Sequence, residues 1–163
     1  MTTKTQNPAS NIGLFIGALL LPFAAGAIGS LATNSEITTW YASLAKPAFN
    51  PPNWVFGPVW SALYLLQGIA FYMIIKQPHR LRGRATKLFI AQLVANTLWS
   101  LIFFGAHAPA WALADITILW SLIVATIYIF WSIKPVAAAL LVPYLAWVTF
   151  ATALTIGIIA RNY

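Results

Sequence analysis

Five long apolar runs dominate the chain, and they leave it with too few charged residues to cover a water-facing surface. Only 7% of its 163 residues are charged and 61% are hydrophobic, whereas about a quarter of the residues in a soluble domain carry a charge. A helix of about 20 residues crosses a hydrocarbon core of about 30 Å. We therefore predict an all-α, integral, multi-pass membrane protein, a single domain over residues 1–163 whose five helices cover about 12–31, 55–75, 88–104, 111–130 and 136–160.

Basic residues are concentrated on one side of this predicted bundle. Five spans place the two ends of the chain on opposite sides of the membrane, and the side with Lys4, the segment 76–87 and Lys134 carries seven Lys and Arg residues. The other side carries Lys46 and Arg161. The positive-inside rule then predicts an inner N-terminus in a bacterial-type membrane. A site for anionic lipid or a partner is the alternative explanation of the 76–87 cluster, and we expect no nucleic-acid partner.

The link between the first two spans is aromatic and stiff. From Trp40 to Trp60 it reads W-Y-A-S-L-A-K-P-A-F-N-P-P-N-W-V-F-G-P-V-W, with three of the eight tryptophans and four of the ten prolines. Proline fixes φ and restricts the residue before it, so this loop is less flexible than its length implies. Aromatic surface beside a membrane has to be covered. We predict that the loop folds over the open end of the bundle and caps a cavity.

Helix faces in the second and third spans combine aromatic rings with polar groups. Trp60 and Tyr64 lie one turn apart on one face of the second span. This face suits a cavity wall or an ordinary helix interface equally well. Gln92, Asn96 and Trp99 share a face of the third span. Because buried amides are costly in lipid unless they are satisfied, these side chains should face the bundle interior and bond to other helices or to a ligand.

The last two spans add an acid and a further aromatic face. Asp115 lies one turn after Trp111 and is the only acid inside a predicted span. An intramembrane acid points to a functional site, although a helix cap or an interhelical hydrogen bond explains it equally well. One face of the fifth span carries Tyr144, Trp147, Ala151, Leu154 and Thr155.

The ionisable residues are too few and too scattered for acid–base catalysis. The two acids and two histidines form no pair at a suitable spacing, and no nucleophile has an evident base partner. Since the chain contains no cysteine, disulfides and thiolate metal sites are excluded. We therefore predict no catalytic residue, no metal site and no cofactor. Aromatic rings with a few amides suit a mostly apolar pocket for a flat, amphipathic guest such as a porphyrin or a sterol.

Three stretches resemble one known family. W-Y-x-x-L-x-K-P-x-F-x-P-P-x-W-x-F-G-P-V-W-x-x-L-Y covers 40–64, Q-x-x-x-N-x-x-W-S-x-x-F-F-G covers 92–105, and P-Y-L-A-W-V-T-F-A-T-A-L covers 143–154. Long motifs at this spacing are similar to those of the TspO/MBR family, the tryptophan-rich sensory proteins and translocator proteins. The resemblance implies a five-helix bundle, often a homodimer, that binds porphyrins, cholesterol and drug-like molecules in a cavity under its first loop.

The resemblance also implies which residues form that pocket. Its tryptophans would be Trp40, Trp54, Trp111 and Trp147. Further matching positions are Tyr64, Asn96, Trp99, Asp115, Ala151 and Leu154. With the helix-face residues Trp60, Gln92 and Tyr144, these are the predicted ligand-binding residues.

Two departures from the family pattern in the fifth span bear on the ligand. Relatives usually carry Asn where this chain has Thr155, and vertebrate relatives carry the Tyr of a proposed cholesterol motif where this chain has Ile156. The cholesterol motif is therefore absent, and motifs of this kind are weak evidence even when present. The resemblance then implies porphyrin binding rather than cholesterol transport.

Three functions are compatible with such a pocket. The first is a membrane receptor or sensor that binds porphyrins and regulates tetrapyrrole levels or a stress response. The second is a transporter of porphyrins, lipids or sterols, although the chain shows no paired broken helices and no internal repeat. The third is light- and oxygen-dependent porphyrin breakdown with Trp54 or Trp147 as redox-active rings. We favour the receptor, with a porphyrin or other hydrophobic small molecule, the lipid bilayer and a second copy of the chain as partners.

Overall fold

The computed structural model describes residues 8–163, with side chains from residue 11 onward. Lys4, one of the charges in the orientation argument, lies outside the described residues. The helices are α1 (Pro8–Glu36), α2 (Trp40–Ser43), α3 (Phe56–Ile75), α4 (Arg82–Ser100), α5 (Pro109–Ile133), α6 (Pro135–Ala139) and α7 (Val142–Asn162). A 3₁₀ turn, Asn53–Val55, leads into α3, and a π-helical turn, Leu101–Gly105, extends α4.

The predicted fold class, an all-α bundle with five membrane-spanning helices, is confirmed. The segments long and apolar enough to cross a membrane are Asn11–Glu36, Asn53–Ile75, Arg82–Gly105, Pro109–Ile133 and Pro135–Asn162. An α-helix makes its backbone hydrogen bonds within its own segment, as a hydrocarbon environment requires.

Two helices extend beyond their apolar runs. α1 continues to Glu36 rather than ending near residue 31, and α4 begins at Arg82 rather than near residue 88. The hydroxyl groups of Ser30 and Thr33 donate to carbonyl oxygens of the preceding turn, at 2.8 and 3.2 Å, so the helix satisfies these polar side chains itself. The end of an apolar run therefore marks where a helix leaves the lipid and not where the helix ends.

Pro143 coincides with a break in the fifth span. α6 ends at Ala139 and α7 begins at Val142, with Leu140 and Leu141 in the turn between them. Proline inside a helix removes a backbone donor and crowds the carbonyl four residues earlier. The helix restarts so that Pro143 lies in the first turn of α7, where a missing N–H costs nothing.

Glycine brings α1 and α3 into close contact in the middle of the bundle. A Cβ atom on Gly68 would lie 2.8 Å from the Cα atom of Leu19 and 3.0 Å from the carbonyl oxygen of Ala18. Pro22 lacks the N–H that would otherwise bond to that carbonyl. α3 therefore approaches α1 at the point where the backbone ladder of α1 is interrupted, as small residues permit in membrane helices.

The two ends of the bundle differ in charge and in shape. One end carries the basic connection between α3 and α4, here the segment 76–87, which includes the first turns of α4. Its exposed cations are Lys76, Arg80, Arg82, Arg84 and Lys87. At the other end, the 37–55 loop meets the turn after α4 and the last turns of α7. The acids of the described chain, Glu36 and Asp115, both lie toward this second end.

Candidate ligand-binding cavity

A cavity opens at the loop end of the bundle. Its volume is about 400 Å³, which lies within the range of about 300–1,000 Å³ typical of small-molecule sites. α1, α3, the end of α4 and α7 form its sides, and the 37–55 loop contributes Tyr41, Asn53 and Trp54. Among the described residues, no charged side chain lines it. Because an ion would find no counter-charge in the lining, the cavity suits an apolar guest.

One side of the cavity is an aromatic wall, made of Phe56, Trp60, Trp147, Phe150 and Leu154. Trp147 and Phe150 lie 5.3 Å apart between ring centres, and Phe56 meets Trp147 edge to face at 5.9 Å. Aromatic pairs at these distances hold one another in fixed orientations. The rings therefore present a pre-formed apolar surface to a guest.

A second side, the α1 wall, is made of Gly26, Ser30, Thr33 and Asn34 of α1 together with Ile37, the residue that follows its last turn. These positions recur at helical spacing, so their side chains face one direction. Thr33, Asn34 and Ile37 lie beyond the predicted end of the first span near residue 31, whereas Gly26 and Ser30 lie inside that span and were not among the predicted site residues. The helical spacing of these positions is the signal that could have indicated the wall.

At its deep end the α1 wall touches α3 through a glycine. A Cβ atom on Gly26 would overlap the ring of Tyr64 and lie 2.8 Å from its hydroxyl oxygen. Tyr64 stacks on Trp60 with 5.4 Å between ring centres, and its hydroxyl donates to Asn96 Oδ1 at 3.2 Å. Tyr64 lines the cavity, whereas the buried Asn96 supports it from behind.

The end of α4 adds further rings through its π-helical turn. Trp99 and Phe103 stack with 5.2 Å between ring centres and 21° between planes. Phe103 and its neighbour Phe104 both line the cavity. A π-helical turn inserts an extra residue into the helix and often occurs at functional sites. Here it presents consecutive aromatic residues to the same space.

The 37–55 loop is tied to the bundle. The hydroxyl of Tyr41 donates to Asn50 Oδ1 at 2.6 Å, and burial raises the pKa of Tyr41 to about 12, so it remains a donor at neutral pH. The side chain of Asn162 accepts from the Ala45 N–H and donates to the Ala45 carbonyl, both at 2.9 Å. The two bonds of Asn162 join the loop to the end of α7, whereas the Tyr41–Asn50 bond lies within the loop. That the loop caps a bound ligand stays a prediction.

Trp40 does not line the cavity, because it belongs to a separate junction. Its ring stacks on His107 at 4.3 Å with 10° between planes, and Nε2 of His107 lies 3.0 Å from Oε2 of Glu36. His107 adopts a φ of 50°, which residues other than glycine rarely do. The junction joins the end of α1, the start of the loop and the turn before α5, and no local sequence pattern indicates it.

Three other predicted site residues also lie outside the lining. Trp111 is 74% exposed near the start of α5, a position typical of tryptophan at a membrane–water interface. Gln92 is fully buried, and both of its amide atoms lack a partner among the described residues. Asp115 is half-buried, with one carboxylate oxygen buried and unpartnered within that part of the chain.

The remaining predicted residues converge on the cavity. Those that line it are Trp54, Trp60, Tyr64, Trp99, Trp147, Ala151 and Leu154. Asn96 and Tyr144 lie directly behind it, against Tyr64 and Trp60 respectively. No group of three or more His, Asp or Glu side chains that could hold a metal ion occurs in the described part of the chain. Which of the lining residues contact a ligand stays a prediction.

Comparison with known proteins assigns this architecture to a family. The model of the TspO/MBR family matches residues 18–161. The chain belongs to the TspO/MBR family. It is similar to the tryptophan-rich protein TspO of Archaeoglobus fulgidus, with 41% identity over 153 residues that cover 93% of this chain and 99% of that one.

Other TspO/MBR relatives come from a human and a bacterial source. The human translocator protein is 37% identical over 151 residues, which cover 91% of this chain and 89% of that protein. The tryptophan-rich sensory protein of Cereibacter sphaeroides is 38% identical over 149 residues, covering 90% and 92% of the two chains. Together with the five apolar helices, this membership establishes an integral multi-pass membrane protein.

Proposed function

We propose that this protein is a membrane receptor or sensor that binds porphyrins in the cavity at the loop end of the bundle. The observation that carries the proposal is the lining itself. Rings from α3, the end of α4 and α7 surround a space of about 400 Å³ that no charged side chain of the described residues enters. Flat conjugated molecules stack on such rings, and the polar groups of the α1 wall can meet a polar edge.

The mouth of the cavity supports entry of a large guest. Trp54 is 75% exposed although its ring contributes to the lining, and Phe49 nearby in the loop is 53% exposed. Exposed aromatic side chains beside a concave site commonly mark a binding surface. A guest larger than the cavity would therefore extend between these two rings toward the headgroup region.

Titration of the purified protein in nanodiscs with protoporphyrin IX tests the proposal. Because several tryptophans line the cavity, saturable binding should quench tryptophan fluorescence, with an apparent Kd of about 10 µM or tighter. Empty nanodiscs and a second multi-pass protein without this cavity correct for partition of the porphyrin into lipid. A folded protein that gives no saturable quenching would exclude porphyrin binding.

A second candidate function is light- and oxygen-dependent breakdown of the bound porphyrin. It is favoured by one observation, that Trp54 and Trp147 line the same cavity and could both approach one guest. Replacing both by Phe keeps most of the apolar volume and should abolish turnover while binding persists. Turnover that survives in the double variant would remove these rings from the reaction. A measurement of net porphyrin flux into sealed liposomes distinguishes a transporter from both the receptor and the porphyrin-degrading activity.

The orientation and the assembly of the protein are further proposals. We propose that the basic connection between α3 and α4 faces the inner side of a bacterial membrane, since its exposed cations fit the positive-inside rule. We also propose a homodimer. Gly13 and Gly17 meet no other heavy atom within 4 Å among the described residues, so this part of α1 is free for a close helix contact. Accessibility of single introduced cysteines from either side of the membrane tests the orientation. The mass of the detergent-solubilised protein tests the homodimer.

A further inference from the structure

The two walls of the cavity differ in the chemical groups that they present to a guest. The aromatic wall supplies rings and the methyl groups of Leu154, whereas the α1 wall supplies two hydroxyl groups and an amide. Asn53 adds a second amide at the mouth, on the turn before α3. A guest with apolar faces and one polar edge can satisfy both walls only in one orientation.

The hydrogen-bonding state of the polar groups decides which of them are available. Ser30 and Thr33 already donate to carbonyl oxygens of their own helix and can only accept from a guest. The amides of Asn34 and Asn53 make no hydrogen bond within residues 11–163, and both side chains are exposed at the mouth. Each amide therefore has free donors and a free acceptor.

The charge around these amides limits the kind of group they can hold. Among the described residues no cation lines the cavity. A carboxylate held beside Asn34 would therefore meet neutral donors and no counter-charge in the lining, so the free-energy cost of desolvating its charge would not be offset. Neutral acceptors such as ester, amide or ketone oxygens avoid that cost.

We infer that Asn34 and Asn53 determine the specificity of the cavity for flat apolar molecules that carry neutral hydrogen-bond acceptors along one edge. This inference rests on the proposed function, because it assumes that a flat guest occupies the cavity. The polar edge lies at the mouth between α1 and the turn before α3. The apolar faces lie against the aromatic wall, where they contact Trp147 regardless of the chemical groups on the polar edge.

Two neutral porphyrins test the inference directly. Protoporphyrin IX dimethyl ester carries two ester carbonyls, and etioporphyrin carries alkyl groups only. Wild-type protein in nanodiscs should bind the ester about 3- to 10-fold more tightly than etioporphyrin, because one or two neutral hydrogen bonds are worth about that factor. In the Asn34→Leu/Asn53→Leu variant, the ratio of the two affinities should fall to about one, after the same correction for partition into lipid.

Two matched variants control the measurement. Ser35→Leu places the same side chain on the next position of α1, which does not line the cavity, and should keep the wild-type ratio. Trp147→Ala should weaken both porphyrins by a similar factor. Because etioporphyrin binding to the Asn34→Leu/Asn53→Leu variant should persist, it also reports that this variant folds.

The possible outcomes distinguish failure of this inference from failure of the proposed function. If wild-type protein binds both porphyrins and the double variant keeps the wild-type ratio, the inference is wrong and the proposed function stands. If folded wild-type protein binds neither porphyrin, the proposed function is wrong and the inference falls with it. A double variant that loses etioporphyrin as strongly as the ester would also overturn the inference, because these amides would then not act on the polar edge.

Discussion

The aromatic wall and the α1 wall enclose the same cavity but are built in different ways. The aromatic wall consists of large rings that fix one another, such as the edge-to-face pair of Phe56 and Trp147 at 5.9 Å. The α1 wall consists of small residues on a helix that has left its apolar run, and its deepest position, Gly26, has no side chain at all. The first wall supplies contact area, whereas the second supplies space and hydrogen-bonding groups.

This difference assigns affinity and specificity to different helices. Burial of aromatic surface contributes to the binding of any flat apolar guest, since it depends on area and not on the pattern of polar atoms. The polar groups of the α1 wall contribute only when the guest offers partners at the right edge. Substitutions in the aromatic wall should therefore weaken all guests, and substitutions in the α1 wall should change the order among guests.

Trp147→Ala should have the largest effect on binding. The substitution removes a ring at the centre of the aromatic wall, and loss of such an anchor commonly costs about 2 kcal/mol or more, about 30-fold in Kd. Trp111→Ala is the matched control, because Trp111 is 74% exposed and does not line the cavity. Equal losses for the two variants in a protoporphyrin IX titration would contradict the assignment of affinity to the aromatic wall.

Gly26→Ala should destabilise the fold and reshape the deep end of the cavity. The added methyl group would overlap the ring of Tyr64, which Trp60 and Asn96 hold in place. Overpacking of this kind costs about 1–3 kcal/mol, so the thermal midpoint in detergent should fall. Gly83→Ala in the first turn of α4 is the matched control, because the added methyl group meets no heavy atom within 4 Å among the described residues, and it should be neutral or stabilising. Reversal of this order would show that α1 and α3 are not packed as described.

Tyr41→Phe should have a smaller effect that depends on pH. It removes the hydrogen bond to Asn50 at 2.6 Å, at a cost of about 0.5–1.5 kcal/mol near pH 7. Because burial raises the pKa of Tyr41 to about 12, its contribution to folding is complete below about pH 10 and declines as the pH rises from there through the folded pKa. Unfolding midpoints at pH 7 and pH 11 should therefore differ less in the variant than in wild type. A variant with the wild-type pH response would exclude this role.

Gln92→Leu should have the smallest effect, with the opposite sign. Gln92 is fully buried with both amide atoms unpartnered in the described chain, so an apolar side chain of similar size should raise stability by up to about 1 kcal/mol. Asn96→Leu is the contrasting variant, because it removes the partner of the Tyr64 hydroxyl and should lower stability. Porphyrin affinity should not change in Gln92→Leu, since Gln92 does not line the cavity.

The residues predicted from the sequence include Trp60, Trp147 and Leu154 of the aromatic wall, but not its two phenylalanines and no residue of the α1 wall. Trp147, Ala151 and Leu154 lie on one face of a long apolar run, where helical periodicity places side chains reliably. Asn34 follows the predicted end of the first span near residue 31 and therefore falls in the predicted loop. Polar residues at the end of an apolar run indicate where the helix leaves the lipid. The helix itself continues, because its polar side chains bond to its own backbone carbonyl oxygens.

Long-range contacts account for the other differences. Trp40 and Trp54 lie in the same loop and looked equivalent in the sequence. Trp54 lines the cavity, whereas Trp40 stacks on His107, a residue far away in the chain whose φ of 50° turns it toward the loop. Neither the stacking nor the left-handed backbone of His107 has a local sequence signature.

Protection of introduced cysteines by a porphyrin is the most direct test that a guest lies between the two walls. The chain contains no cysteine, so Ser30→Cys on the α1 wall, Ala151→Cys on α7 and Ser35→Cys outside the lining each report one position. Saturating protoporphyrin IX should slow alkylation of the first two cysteines about tenfold or more, a protection that requires an occupancy of at least about 90%, and leave the third unchanged. Protection at Ser35→Cys alone, or at none of the three while the porphyrin is bound, would place the guest elsewhere and contradict the account.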